Sequence, residues 1–283
     1  MRNAFAESFY EAAKKNERLA MVVADISAAG SMDKFRHDFP KRFVNTGVAE
    51  QIMIGMVAGM AMRGLKPFAY TIATFAMYRP YEFIRDDLCY QHLPVTVVGI
   101  GGGVTYSQLG GTHHAMEDVA IACATPNLRV IAPCDPHETK AATEWCINQE
   151  NGPVYLRLGK AGEQNLGGEE AWEFGKLRKL RDGGDTCIIG YGPILGRYMK
   201  KYPEAAAYSC HTMKPLDKDG IVGILLSYNR VIVVEEHIMH LGRVVKEIAW
   251  EYGRFCEIEC HSLKDEFIHH YGSHDELLEA HGL

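Results

Sequence analysis

Nothing in this 283-residue chain is long and apolar enough to look like a membrane span. Its longest apolar run, Ile52 to Met62, falls well short of the roughly 20 residues a spanning helix needs. A basic excess is also missing. Thirty Lys and Arg against 36 Asp and Glu leave a formal net charge of −6 and a pI near 6.1, so no positive stripe suits a nucleic-acid backbone. The eight cysteines (Cys89, Cys123, Cys134, Cys146, Cys187, Cys210, Cys256 and Cys260) are scattered, without CxxC pairs. They read as buried or free thiols of a reducing compartment, not as a disulfide framework. The opening stretch MRNAFAESFYEAAKKNER lacks a signal-peptide apolar block, and its Glu7, Glu11 and Glu17 are out of place in a transit peptide. These absences lead us to expect a soluble, cytoplasmic protein that binds neither nucleic acid nor membrane.

What remains is ordinary globular material: 47% hydrophobic and 23% charged residues, with no repeat or low-complexity segment. At about 150 residues per domain, the length suggests two domains. Amphipathic helices alternate with short apolar strands, which argues for parallel α/β architecture. Strands are expected at Leu19–Ala24, Phe68–Ile72, Val95–Ile100, Arg129–Ala132 and Val154–Leu158, and later at Thr186–Tyr191, Ala205–Cys210 and Val231–Glu235. Helices are expected at Tyr81–Cys89, Met116–Cys123 and Glu138–Asn148. Gln51–Arg63 is helical and apolar on nearly all sides, so it should be enclosed by protein, as a packing axis within the chain or between subunits. Ala161–Asp185 is rich in glycine and charge with little periodicity, and marks the domain boundary.

Three patterns imitate functional motifs. Gly190-Tyr-Gly192-Pro-Ile-Leu-Gly196 follows a strand, but its GxGxxxG spacing and Pro193 suit a tight turn into a helix better than a dinucleotide site. His237 and His240 beside Glu235 and Glu236 lack metal-ligand spacing, and we expect no metal held by this chain. Cys256-Glu-Ile-Glu-Cys260-His261 misses the haem-attachment pattern by one residue and alternates like a strand.

Three other segments are harder to explain as packing. Asn45-Thr-Gly-Val-Ala-Glu50-Gln51 places a carboxylate at the mouth of the apolar helix, where an unpaired buried charge costs several kcal/mol; a surface acid favoured by the helix dipole is the plainer reading. Phe75, Tyr78 and Tyr81 recur at spacing three past a strand end, where α/β sheets bind ligands, although spacing alone favours ordinary core. The loop Gly101–Thr112 holds five glycines before His113 and His114, with Glu117 and Asp118 beyond. That composition suits close backbone approach to a ligand and proton management by imidazole, or equally a mobile linker.

In this order the segments resemble the thiamine-diphosphate enzymes of the transketolase superfamily. The stretches that carry the resemblance are Asp25, FPKRFVNTGVAEQ, GLKPFAYTIATFAMY, YEFIRDDLCYQHLPVTVVG, GGTHHAMEDVAI, TPNLRVIAPCDPHE, GPVYLRLGK and, further on, VIVVEEH. The resemblance covers nearly the whole chain, but only two of the family's three modules. It implies an α/β protein with a parallel-sheet pyrimidine-binding domain over 1–161, a linker over 162–185 and a smaller α/β C-terminal domain over 186–283. The diphosphate module, with its Gly-Asp-Gly grip on Mg²⁺, has no counterpart here. The implied protein is therefore the small subunit of a split transketolase, working with a separate diphosphate-binding chain in an α₂β₂ complex.

By the same resemblance, Glu50 is the acid that hydrogen-bonds N1′ of the aminopyrimidine and favours the tautomer that takes the thiazolium proton. Phe75, Tyr78 and Tyr81 are the aromatics around that ring. His113, followed by His114 where the family has glutamine, faces the substrate, and Arg2 and Lys160 stand where arginines grip a sugar phosphate. Lysine at 160 offers a point charge, not a bidentate fork. Leu109 replaces an aspartate and Gly101 a histidine that contact sugar substrates. Losing such hydrogen-bond partners should change specificity. The implied activity is transfer of a two-carbon ketol unit from a ketose to an aldehyde in a specialised carbohydrate pathway. The alternatives are a β subunit of a 2-oxoacid dehydrogenase-type enzyme, and a scaffold or regulatory relative without catalysis.

Overall fold

The computed structural model describes residues 1–26, 31–160, 162–168, 170–253 and 256–283. Its strands in chain order are β1 (Leu19–Val23), β2 (Phe43–Asn45), β3 (Lys66–Ile72), β4 (Thr96–Ile100), β5 (Arg129–Ile131), β6 (Val154–Leu158), β7 (Arg178–Arg181), β8 (Thr186–Gly190), β9 (Ala206–Ser209), β10 (Thr212–Lys214), β11 (Arg230–Ile238) and β12 (Glu257–Leu263). They form a seven-stranded sheet in the order β10-β5-β6-β4-β3-β1-β2 and a five-stranded sheet in the order β12-β11-β8-β9-β7. Pairing is parallel throughout except at two edges, β10 against β5 and β7 against β9. The α/β class expected from alternation is what folds.

Parallel strands covered by helices on both faces have no polar side to show, which explains why LAMVV, TVVGI and VYLRL are buried at every position. One face of the large sheet receives the helix Arg2–Ala13, whose Phe5 and Phe9 stack on each other and meet Phe68 of β3, Phe9 edge-on at 5.0 Å. The other receives the helix Glu50–Met62 through Met53, Ile54, Val57, Ala58 and Ala61.

This chain encloses that second helix on one side only: Ile52 and Met62, with Val48 just before the helix, stay exposed, and no described residue lies within 4 Å of where a side chain would start at Gly55 or Gly59. A helix apolar all round leaves one stripe bare when only one sheet covers it. The expected helix Tyr81–Cys89 is a short α-turn, Tyr81–Phe83, continuing as a π-helix over Ile84–Tyr90.

Segment 162–185, read as aperiodic linker, contains β7, which edges the second sheet. It is also tied down by stacking: Trp145 on Phe174 at 3.9 Å, and Trp172 on His211 at 4.9 Å. Conversely β10, from the C-terminal part of the chain, completes the first sheet beside β5. Three-residue strands such as β2 and β10 are too short for periodicity to reveal. The helix Ser31–Asp38 is polar apart from Met32 and Phe35 and carries little apolar signal.

Candidate active site

Four elements converge at the C-terminal ends of β3 and β4, where an α/β sheet offers a crevice. Glu50 opens the helix Glu50–Met62 and is only 2% exposed. Its Oε2 accepts from Arg79 Nη1 at 2.7 Å, and Arg79 is 40% exposed. The same guanidinium lies 4.8 Å from the Phe75 ring centre, and Phe75 meets the His113 ring edge-on at 5.1 Å. Glu50, Phe75 and His113 thus lie along one continuous path, joined by an arginine that the sequence reading missed. Arg79 belongs to the same aromatic segment, and a buried acid that needs a partner is the signal that could have singled it out.

Phe75, Tyr78 and Tyr81 share a spacing but make separate contacts. Tyr78 donates its hydroxyl to Glu117 Oε2 at 2.6 Å and accepts from the Glu117 backbone N–H at 3.1 Å. Burial, with the nearby carboxylates of Asp118 and Glu117, pushes the Tyr78 hydroxyl far up in pKa, so it remains a donor. Tyr81 accepts instead from the Thr125 hydroxyl at 3.2 Å.

The adjacent histidines take different surroundings. His113 is half-buried on the short turn Gly111–His113, beside Phe75 and Tyr106, with Nδ1 3.0 Å from the Thr112 hydroxyl. Burial lowers its pKa, which disfavours the charged imidazole. His114 is buried, and its pKa is lowered by burial and then by His113. It lines a cleft of about 410 Å³ with Thr74, Tyr78, Thr112, Glu117 and Phe267. Thr74 Oγ1 and both His114 ring nitrogens are buried there without a hydrogen bond among the described residues. Such orphaned groups cost free energy unless something polar fills the cleft.

Lys160 Nζ sits 4.7 Å from the centre of the Tyr106 ring, and Arg2 is close enough to act electrostatically on Tyr106 and Tyr70. Arg2 Nε is buried and has no hydrogen-bond partner among the described residues. Leu109, half-exposed on the turn Ser107–Leu109, lines a second recess of about 350 Å³ with Lys160, Gln108 and His274. The structure therefore brings Arg2, Lys160 and Leu109 around the Tyr106–His113 end of the site. Gly101 lies against the Tyr106 ring with φ +72°.

The metal-like cluster has a different use. Glu235 accepts from the backbone N–H groups of His240, Leu241 and Gly242 at 2.9–3.0 Å, at the start of the helix Leu241–Glu251. His237 Nδ1 lies 2.6 Å from the Ile238 carbonyl. Among the described residues no group of three or more His, Cys, Asp or Glu could hold a metal ion.

A model of the transketolase pyrimidine-binding domain matches residues 1–163, and one of the transketolase C-terminal domain matches residues 175–283. The chain belongs to the transketolase family. It is 36% identical to a Methanocaldococcus jannaschii protein named for the C-terminal section of a transketolase, over 100% of this chain and 92% of that one. It is 30% identical to one of the subunits of the apulose-4-phosphate transketolase of Phocaeicola vulgatus, over 100% and 93%. A solved split-gene transketolase, described as an inactive β₄ tetramer, superposes with a TM-score of 0.87 at 30% identity, covering 100% of this chain and 93% of that one. This transketolase chain thus pairs the pyrimidine-binding and C-terminal modules, as the corresponding half of a split enzyme does, and its family depends on thiamine diphosphate. No helix among the described residues is long and apolar enough to cross a membrane.

Proposed function

We propose that this chain is the pyrimidine-binding subunit of a two-chain, cytoplasmic transketolase that moves a two-carbon ketol unit from a ketose to an aldehyde. The observation that carries the reading is Glu50: a carboxylate withdrawn from water at a helix start, whose half-exposed arginine partner leads on to a half-buried aromatic and an imidazole whose charge burial disfavours. Thiamine diphosphate fits the donor set, because the cleft behind Tyr78 holds orphaned polar atoms that an occupant could satisfy. Glu50, Phe75, Tyr78 and Tyr81 would hold its aminopyrimidine; bound there, the cofactor supplies a stabilised carbanion equivalent. Glu50 would donate a hydrogen bond to the ring nitrogen once Arg79 has left the carboxyl oxygen and that oxygen has taken up a proton. Phe75 offers its face once the guanidinium has withdrawn. His113, with His114 behind it, exchanges a proton or hydrogen bond with the substrate oxygen.

Arg2 and Lys160 receive the anionic end of a sugar phosphate, and Leu109 presents an apolar contact to the substrate chain. A relative named for apulose 4-phosphate fits a specialised sugar pathway. In this reading the division of labour follows the chain: 1–161 binds the pyrimidine, 162–185 links, and 186–283 forms the C-terminal domain. The Mg²⁺ and diphosphate are held by a separate chain bearing Gly-Asp-Gly, in an α₂β₂ complex. The bare stripe of Val48, Ile52, Met62, Gly55 and Gly59 beside Glu50 supports burial against another subunit.

The test mixes the chain with candidate Gly-Asp-Gly partners and assays ketol transfer from ketose phosphates, with binding of thiamine diphosphate and Mg²⁺ measured separately. Transfer and tight cofactor binding should appear only in the mixture. Turnover of pyruvate-like acids alone, or submicromolar cofactor binding by the isolated chain, would overturn the reading.

A further inference from the structure

The C-terminal domain meets the His113 loop at its base. Gly103 and Ala115 close that loop with two backbone bonds, Gly103 N–H to the Ala115 carbonyl at 2.9 Å and Ala115 N–H to the Gly103 carbonyl at 2.8 Å. Glu236, on β11, grips both sides of this bridge. Its Oε1 accepts from the Val104 N–H at 2.7 Å. Its carbonyl accepts from Arg157 Nη2 at 3.1 Å, and that nitrogen also reaches the Ala115 carbonyl at 3.3 Å. Two residues on, Ile238 N–H donates to the Met116 carbonyl at 2.9 Å.

The carboxylate is buried, and His274 Nε2 lies 2.8 Å from Oε1 on its other side. Space is as restricted as the bonding. Gly103 has φ +67°, and a Cβ built there would overlap the Glu236 carboxyl group. The loop base and this side chain therefore fill one another's space. Loop Gly101–Thr112 is glycine-rich and has little regular structure to hold it by itself.

We propose that Glu236 is a positioning residue: the C-terminal domain clamps the base of the loop through this carboxylate, and so sets where His113 stands relative to Phe75. The kinetic consequence rests on the ketol-transfer reading above, whereas the structural one does not. A charged acceptor makes a stronger bond than a neutral one, and removing it leaves the Val104 N–H unpaired in a dry site. A displacement of about 1 Å at a reacting group is enough to cost on the order of 100-fold in rate.

The experiment uses the full chain as Glu236→Ala and Glu236→Gln, the latter keeping shape and an oxygen acceptor. In the free chain, Glu236→Ala should speed amide exchange over 103–115 by about 100-fold while β1 and β3 stay protected, and Glu236→Gln should recover most of that protection. In the reconstituted complex, Glu236→Ala should lower kcat about 30-fold, yet by less than about 3-fold when His113 is already alanine, since residues acting as a unit are not additive. Unchanged loop exchange overturns the clamp. Equal losses in both His113 backgrounds overturn its action through that histidine. Should the wild-type mixture show no ketol transfer, the functional reading fails while the exchange measurement still decides the clamp. If Glu236→Ala does not fold, Glu236→Gln carries the same comparison with smaller expected changes.

Discussion

Glu50 and Asp118 are both carboxylates withdrawn from water and paired with an arginine, yet the two sites are built for different ends. Asp118 is fully buried, and its Oδ2 accepts from Tyr155 Oη at 2.7 Å and Arg157 Nε at 2.9 Å. Arg157, only 4% exposed, passes the connection on to the carbonyls of Ala115 and Glu236. Glu50 has Arg79 for a partner, 40% exposed and resting on an aromatic face. The Asp118 pair cannot dissociate without leaving a charge stranded in a dry interior. The Glu50 pair can, because water solvates the departing guanidinium. A buried acid whose partner can leave is available for chemistry, and one whose partner cannot leave holds domains together.

That contrast is easiest to break at Glu50. Glu50→Ala should reduce turnover of the reconstituted enzyme by about 10³-fold or more, the scale of a lost proton-transfer partner, while the urea midpoint of the isolated chain moves little. Near-wild-type turnover would sink the role we give it. Asp118→Ala should show the reverse emphasis. It leaves Arg157 buried without its counter-charge, at a cost of about 3–5 kcal/mol in stability, read as a large drop in urea midpoint and loss of contact between the two domains. A shift under about 1 kcal/mol, the value typical of an exposed pair, would contradict the structural reading of that site.

Acid sharpens the comparison further. Burial lowers the pKa of His237, beside Asp118, to about 4, and burial followed by the Arg178 charge lowers that of His211 to about 3. A folded-state pKa below the unfolded value of about 6.5 means stability that is present above pH 6.5 and lost as pH falls towards the folded value. Each of these histidines should cost about 1.4 kcal/mol per pH unit below that point, as an upper bound. Urea titrations at pH 6.5 and 4.5 measure it, and His237→Gln should flatten the slope. The smallest effect runs the other way. Burial opposes the charge on His274, but Glu236, followed by Asp275, raises its pKa overall. Its contribution is complete below the unfolded value and disappears as pH rises through the folded one. His274→Gln should therefore remove a shallow loss of stability on the alkaline side, and an identical pH profile in the variant would argue against that pairing.

Much of this was legible beforehand because it depends on local pattern. The apolar runs at β1, β4 and β6 announce a covered parallel sheet, and GVAEQ and THH stand in family order. Glu50, Phe75 and His113 lie along one path of contacts that runs through Arg79. Strand β7 inside the segment 162–185 is not visible in the sequence, because it is stabilised by pairing with β9, which no local periodicity records. The composition of the helix Glu50–Met62 asks for cover on all sides, and this chain covers only the side that faces the sheet.

Sequence by itself determined the family, the α/β class and which side chains are chemically eligible, since those follow from residue type, spacing and order along the chain. Only the tertiary structure decided that Arg79 holds Glu50, that His113 and His114 occupy different surroundings, and that Glu236 closes on the base of the loop. These contacts join residues distant in sequence or opposed in direction. Their existence depends on where two sheets and their connecting loops come to rest, a property of packing that no stretch of neighbouring residues encodes.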